Sequence, residues 1–277
     1  MKTIFQSIFI GGLLILATCT SEQPASDEKT KDGAKEIQTP PPPKPSLNIK
    51  DKKSTTPKST PPDAKRTLSP KLKPSEVKKT QKKVSKSRKL FKPASLNERA
   101  PEVFKVKFET SKGDFIIEVI RFWSPRGADR FYNLTKSGYF TDIAFFRVLE
   151  GFVAQFGKHG NPELNRVWRA STIIDDKVEQ RNQRGTIVFA KSGLPNSRSV
   201  QFFINYRDNF GLDSQGFSPF GRVVEGMSVV DSLYSGYGEG APQGRGPSQG
   251  RLIEEGNKYL KKDFPKLDYI KRSIIQN

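Results

Sequence analysis

Apolar and polar positions alternate from Val103 to Thr110, which puts Phe104, Val106 and Phe108 on one face. A period of two marks a half-buried strand. Ser111-Lys112-Gly113-Asp114 reads as a turn and Phe115 to Ile120 as the returning strand, so the two form a hairpin. The period then changes. Ser124-Pro125 offers an N-cap with proline in the first turn. Ala128, Phe131 and Leu134 follow at three-residue spacing, and Gly138 closes the helix. Ala144 to Val148 and Phe152 to Phe156 are strands joined through Gly151, and Thr186 to Ala190, Val200 to Asn205 and Pro219 to Val224 supply more. Gly226 to Tyr234 is a short helix with Met227, Val230 and Leu233 on its apolar side. A helix near Leu252 to Lys261 and a strand near Tyr269 to Ile275 pack the C-terminal part onto the rest. Many short strands with two or three helices predict a mainly β domain of barrel type, with helices at its ends, over residues 101–277.

Residues 19–100 follow neither period. Pro40 to Pro43 form an uninterrupted run, and Pro45, Pro57, Pro61, Pro62, Pro70, Pro74 and Pro93 follow among Lys, Ser and Thr. Such a stretch has too few large apolar residues to offset the entropy of ordering it. It reads as a disordered tether, partly polyproline II, with a fully extended reach on the order of 250 Å at roughly 3.1 Å per residue. The 277-residue chain has a formal charge of +19, and the excess is uneven. Residues 20–100 carry 21 Lys/Arg against 9 Asp/Glu, whereas residues 101–277 carry 26 against 20. The basic tether suits an anionic cell-envelope polymer or lipid surface, or it is a solvated linker with no partner. It lacks the interleaved aromatic residues that stack bases, so nucleic acid is not expected as a partner.

The first 18 residues read as an export signal. Lys2 supplies the positive start, and the apolar run from Ile4 to Leu16 is too short to span a bilayer. It ends in Leu16-Ala17-Thr18-Cys19, which resembles a bacterial lipobox, with Thr18 as a departure from the usual small residue before the cysteine. The resemblance implies that Cys19 is lipidated and anchors the protein to a membrane without spanning it, on the extracytoplasmic side of a bacterial cell envelope. Cys19 is the only cysteine, so an internal disulfide is excluded.

Two stretches carry polar side chains inside apolar strands: Phe145-Phe146-Arg147-Val148-Leu149-Glu150-Gly151-Phe152-Val153-Ala154-Gln155-Phe156-Gly157, and Ser199-Val200-Gln201-Phe202-Phe203-Ile204. A guanidinium and two amides among Phe152, Val153 and Phe203 describe a small apolar binding site with a few orienting donors. The pair of stretches resembles the signature segments of the cyclophilins, the peptidyl-prolyl cis-trans isomerases. The resemblance covers roughly residues 102–235 and implies a closed eight-stranded antiparallel barrel. It also implies that Arg147 is the main catalytic residue, that Gln155 and Gln201 hold the substrate backbone and orient the arginine, and that Phe152, Val153, Phe203, Leu212 and Phe217 receive the proline ring. Ala190 matches a backbone contact beside the proline, and Lys191 stands where asparagine is common. Val153, Lys191, Gly211 and Phe217 depart from the best-known members and point away from tight binding of cyclosporin-type inhibitors.

The chemistry asks for no cofactor. Peptide-bond rotation faces a barrier of about 18–20 kcal/mol set by amide resonance. A site lowers it by binding the twisted amide better than either planar isomer. Arg147 stays charged and has a rigid donor fork suited to a pyramidal prolyl nitrogen. No metal set is expected from one histidine and one lipidated cysteine. His159, between Lys158 and Gly160, reads as an exposed loop residue, and Asp213 as a turn cap. The glycines from Gly236 to Gly246 read as loop, since no strand leads into a GxGxxG turn followed by a helix. The expected function is isomerisation of X-Pro bonds in exported polypeptides. The alternatives are a non-catalytic chaperone that holds proline-containing segments, or a surface interaction lipoprotein whose tether is the active part.

Overall fold

The computed structural model describes residues 89–276. The export signal, Cys19 and most of the Pro/Lys-rich tether lie outside the described residues.

The hairpin forms where the alternation places it. Strand β1 (Val103–Thr110) pairs antiparallel with β2 (Asp114–Ile120), and Phe108 faces Phe115 across the ladder with rings stacked at 5.2 Å. Helix α1 (Pro125–Ser137) follows and buries Ala128, Phe131 and Leu134, the three residues whose spacing predicted its inner face. Gly138 ends it in the left-handed region. The expected serine cap is not made. Ser124 Oγ instead donates to Asp176 at 2.6 Å, and the Asp176 carboxylate accepts the backbone N–H groups of Arg126 and Gly127. A carboxylate from another segment therefore satisfies the first turn.

The remaining strands are β3 (Ile143–Ala144), β4 (Arg147–Leu149), β5 (Val153–Phe156), β6 (Thr186–Phe189), β7 (Phe202–Asn205), β8 (Pro219–Glu225) and β9 (Tyr269–Gln276). They form one antiparallel sheet in the order β3-β9-β1-β2-β8-β6-β7-β5-β4. This corrects the closed eight-stranded barrel: the sheet has nine strands and curls into a half-barrel whose edges are β3 and β4. Both edges belong to the segment Ile143–Leu149, where a single strand from Ala144 to Val148 was expected. Its first part pairs with β9 and its second with β5. Between them Phe145 turns into the main core, 5.2 Å from Phe156, and Phe146 turns into a second cluster. The edges are thus joined by the chain and not by a ladder.

The helix count is also larger than expected, with five α-helices among the described residues. Helix α2 (Pro162–Arg169) was missed, although Asn161 accepts from Glu163 N at 2.9 Å and Pro162 occupies the first turn, a legible start signal. Helix α3 spans Met227–Asp231. The helix expected near Leu252 to Lys261 is two, α4 (Gln249–Glu255) and α5 (Asn257–Asp263). Gly256 separates them at φ 60° and ψ −144°, a conformation outside the helical region.

The core inside the curl is largely phenylalanine. Phe108, Phe131, Phe140, Phe156, Phe189, Phe202 and Phe220 are fully buried, and Phe202 touches five of the others edge-on or tilted. Packing against the sheet starts before Pro101. Leu90 and Ala100 are buried, Trp168 Nε1 donates to Leu90 O at 2.9 Å, and Ala100 N donates to Asp129 at 2.8 Å. A second cluster joins Ala144 and Phe146 to Leu252, Tyr259, Leu260 and Leu267. The segment from Tyr237 to Tyr269 is therefore an annex packed beside β3 and β4.

Candidate active site

Strand alternation divides the signature residues between two faces. On β5, Ala154 and Phe156 enter the core, so Val153 and Gln155 point away from it. On β7, Phe202 and Ile204 enter the core, and Phe203 lies on the other face. Register then lines up one row across four strands: Arg147 of β4 opposes Gln155 of β5, Gln155 opposes Phe203 of β7, and Phe203 opposes Val188 of β6. Val153, Val188 and Phe203 form a third buried cluster, with Phe152, Ala190, Leu212 and Phe217 packed against it. All the apolar site residues expected from the sequence meet here. Val188 was missed, because a valine in a strand buried on both faces carries no mark of which neighbours it serves.

The polar residues form a chain along one edge. Arg147 Nη1 donates to Gln155 Oε1 at 3.1 Å, and Gln155 Nε2 donates to Gln201 Oε1 at 3.2 Å. The Arg147 guanidinium carbon lies 5.9 Å from the Phe152 ring centre. Gln201 O accepts from Ala190 N at 2.9 Å, which fixes the backbone beside the apolar cluster. Lys191 Nζ lies over the Phe217 ring at 5.2 Å, and that ring meets Phe203 edge-on at 5.7 Å. Leu212 and Phe217 belong to one loop, and Asn182 ties it down by donating to Asp213 Oδ1 and Phe217 O, each at 2.8 Å. Asp213 thus anchors the loop to a residue 31 positions away, where a cap on its own turn was expected. Burial alone would raise its carboxyl pKa, but hydrogen bonds from Asn182 and the Arg181 charge hold it below the ordinary value.

One residue at this site was not singled out from the sequence. Glu239, in the glycine-rich loop, accepts Arg147 Nε on Oε1 at 2.7 Å and Arg147 Nη2 on Oε2 at 2.6 Å. Desolvation would raise the Glu239 carboxyl pKa, but the Arg147 hydrogen bond and charge, with the Gly240 N–H, hold it below the ordinary value. The partners are 92 residues apart, so no local pattern announces the pair. His159 differs from its expectation. It is half-buried, its Nδ1 accepts from Asn161 N at 2.9 Å, and its ring meets Tyr139 at 5.1 Å. Burial lowers its pKa to about 4, so it is neutral at pH 7. Among the described residues no cluster of three or more His, Cys, Asp or Glu is placed to hold a metal ion, and no helix is long and apolar enough to cross a membrane.

Comparison with known proteins identifies one family. A family model described as cyclophilin type peptidyl-prolyl cis-trans isomerase/CLD matches residues 105–253. Peptidyl-prolyl cis-trans isomerase B of Escherichia coli K12 is 28% identical over 176 residues, covering 61% of this chain and 97% of that protein. Peptidyl-prolyl cis-trans isomerase cyp18 of Streptomyces antibioticus is 30% identical over 136 residues, covering 46% of this chain and 81% of that protein. A cyclophilin-type isomerase structure from Cryptosporidium parvum is 21% identical with a TM-score of 0.46, covering 63% of this chain and 98% of that one.

Proposed function

The chain belongs to the cyclophilin-type peptidyl-prolyl cis-trans isomerases, and from that premise we propose that Arg147 is its catalytic residue and that its substrates are exported polypeptides. The observation that carries the site assignment is the cross-strand row Arg147–Gln155–Phe203 beside the apolar cluster. The cluster of Val153, Phe203, Phe152, Leu212 and Phe217 receives the proline ring, and burial of that ring supplies the binding energy. Gln201 and the Ala190 backbone hold the peptide on either side of it. As the amide twists, the prolyl nitrogen becomes pyramidal and its lone pair is freed. Arg147 donates toward that nitrogen and stabilises the twisted form more than either planar isomer. The guanidinium is preorganised by Gln155 and largely removed from water, so its field acts at little cost in reorganisation. No bond is made or broken, and no proton need change place.

We extend the reading to location on sequence grounds alone. The signal-like segment ending at Cys19 supports a lipid-anchored protein at the bacterial cell envelope, and the proline- and lysine-rich stretch supports a spacer between anchor and catalyst. Clients are then polypeptides that fold after export.

The test is cis-to-trans exchange of an Xaa-Pro peptide followed with the wild type and with Arg147→Ala. The variant is expected to lose on the order of 10²-fold in kcat/KM while its thermal unfolding stays cooperative. A folded variant with the full rate would remove Arg147 from the mechanism. Binding without acceleration by the wild type would leave a proline-segment chaperone in place of an isomerase.

A further inference from the structure

We propose that Glu239 is a positioning residue for Arg147, supplied by the C-terminal annex to set the arginine for isomerisation. The inference rests on the assignment of Arg147 as catalytic. A guanidinium has five N–H donors in a fixed fork. Glu239 takes the Nε edge, with one hydrogen each from Nε and Nη2, and Gln155 takes one from Nη1. Two hydrogens remain, one on Nη1 and one on Nη2, to face a substrate. The carboxylate therefore fixes the plane and rotation of the fork without using up its donors. A two-point carboxylate contact does this better than one amide, because it removes rotation about the Cδ–Nε bond.

The loop is built to hold the carboxylate still. Gly240 N donates to Glu239 Oε1 at 2.9 Å, Gly246 N to Glu239 O at 2.8 Å, and Ala241 N to Gly246 O at 3.1 Å. The backbone folds back so closely that a Cβ on Gly244 would stand 2.3 Å from Glu239 O, and one on Gly246 2.8 Å. Tyr237 ties the loop to the annex through the Phe264 ring at 5.0 Å and by accepting from Lys266 N at 3.3 Å. The same annex packs against Phe146, the residue before Arg147. It therefore holds the arginine by its backbone neighbour and by its side chain. The pair is mostly withdrawn from water, with 10% of the Arg147 side chain and 26% of the Glu239 side chain exposed, so removing one partner leaves the other poorly solvated.

The experiment measures kcat and KM separately on an Xaa-Pro peptide for the full chain and for Glu239→Gln, Glu239→Ala, Arg147→Ala and the Glu239→Ala/Arg147→Ala double variant. Glu239→Ala is expected to lower kcat about 10- to 100-fold with KM little changed, since a misplaced catalytic group costs rate and not binding. Glu239→Gln, which keeps the shape and one acceptor, is expected to fall between it and the wild type. The double variant is expected to be no slower than Arg147→Ala, because Glu239 acts only through the arginine. The Arg147 Nε–H resonance is expected to exchange slowly in the wild type, where Glu239 accepts it, and to vanish in Glu239→Ala. Unchanged or raised kcat in Glu239→Ala beside an inactive Arg147→Ala would overturn the positioning role and leave the arginine's role intact. An additive loss in the double variant would make the effect structural and also overturn it. Full rate in Arg147→Ala would overturn the parent assignment instead.

Discussion

Asp176 caps a helix from 52 residues beyond the serine that the local sequence offers for the task. Its carboxylate accepts from Ser124, Gly127 and Arg126 and lies 3.0 Å from Arg198 Nη2, with both side chains almost wholly buried. Burial by itself would raise the pKa, but the hydrogen bonds and the Arg198 charge together hold it below the ordinary value. A carboxyl with a lowered folded pKa contributes its stabilisation above the unfolded pKa and loses it as the pH falls. Asp176→Asn is therefore expected to unfold about 3 kcal/mol more easily at pH 7, because Arg198 is left in the interior with a weaker partner. The difference should narrow as the pH is lowered through the ordinary carboxylate value of about 3.9. Urea unfolding of both proteins at pH 7 and pH 3 checks both statements. Arg147, Gln155 and Gln201 were legible for the opposite reason: a polar side chain in an apolar strand stands out in one dimension. Glu239 was not, because a carboxylate between glycines is ordinary until its partner comes into view.

At the scale of elements, period-two and period-three patterns located β1, β2 and α1 because each of these packs by one face. They failed where an element ends for a tertiary reason. Gly256 divides α4 from α5 because the chain there passes against Gly160: Asn257 N donates to Gly160 O at 2.9 Å, and a Cβ on Gly256 would stand 2.0 Å from that oxygen. No local signal marks this approach. Gly256→Ala adds both that clash and a side chain at positive φ, so it is expected to cost about 1–3 kcal/mol. Since α4 and α5 belong to the annex that carries Glu239, isomerase kcat is expected to fall with it. Thermal unfolding measured beside the exchange rate tests the coupling. A variant with a lowered Tm and an unchanged kcat would detach the annex from the site.

For the whole molecule, residues 89–100 already pack against the core ahead of the start expected at Pro101. Leu90 belongs to the main core and its carbonyl accepts from Trp168, while Glu98 N donates to Asn133 Oδ1 at 3.1 Å. A protein starting at Lys89 keeps these contacts. One starting at Pro101 is expected to lose several degrees in Tm, since it uncovers Leu90's site and leaves the Trp168 N–H without its partner. Differential scanning calorimetry of the two truncations, with exchange rates alongside, decides the matter. Equal Tm values would show that residues 89–100 add nothing to stability.

The sequence by itself determined which residues are chemically unusual and which faces are apolar, because both are properties of side chains and of short periods. That was enough to mark Arg147, Gln155 and Gln201 and to predict a mainly β domain, while only the resemblance to the cyclophilins suggested Phe152, Val153, Phe203, Leu212 and Phe217 as receivers of a proline ring. The tertiary structure alone decided that the sheet has two edges, that one segment supplies both, that Asp176 caps α1, and that Glu239 holds Arg147. Each of these joins residues tens of positions apart. Such pairings depend on how the curled sheet and its annex pack, and that packing is a free-energy minimum of the whole chain which no local window contains.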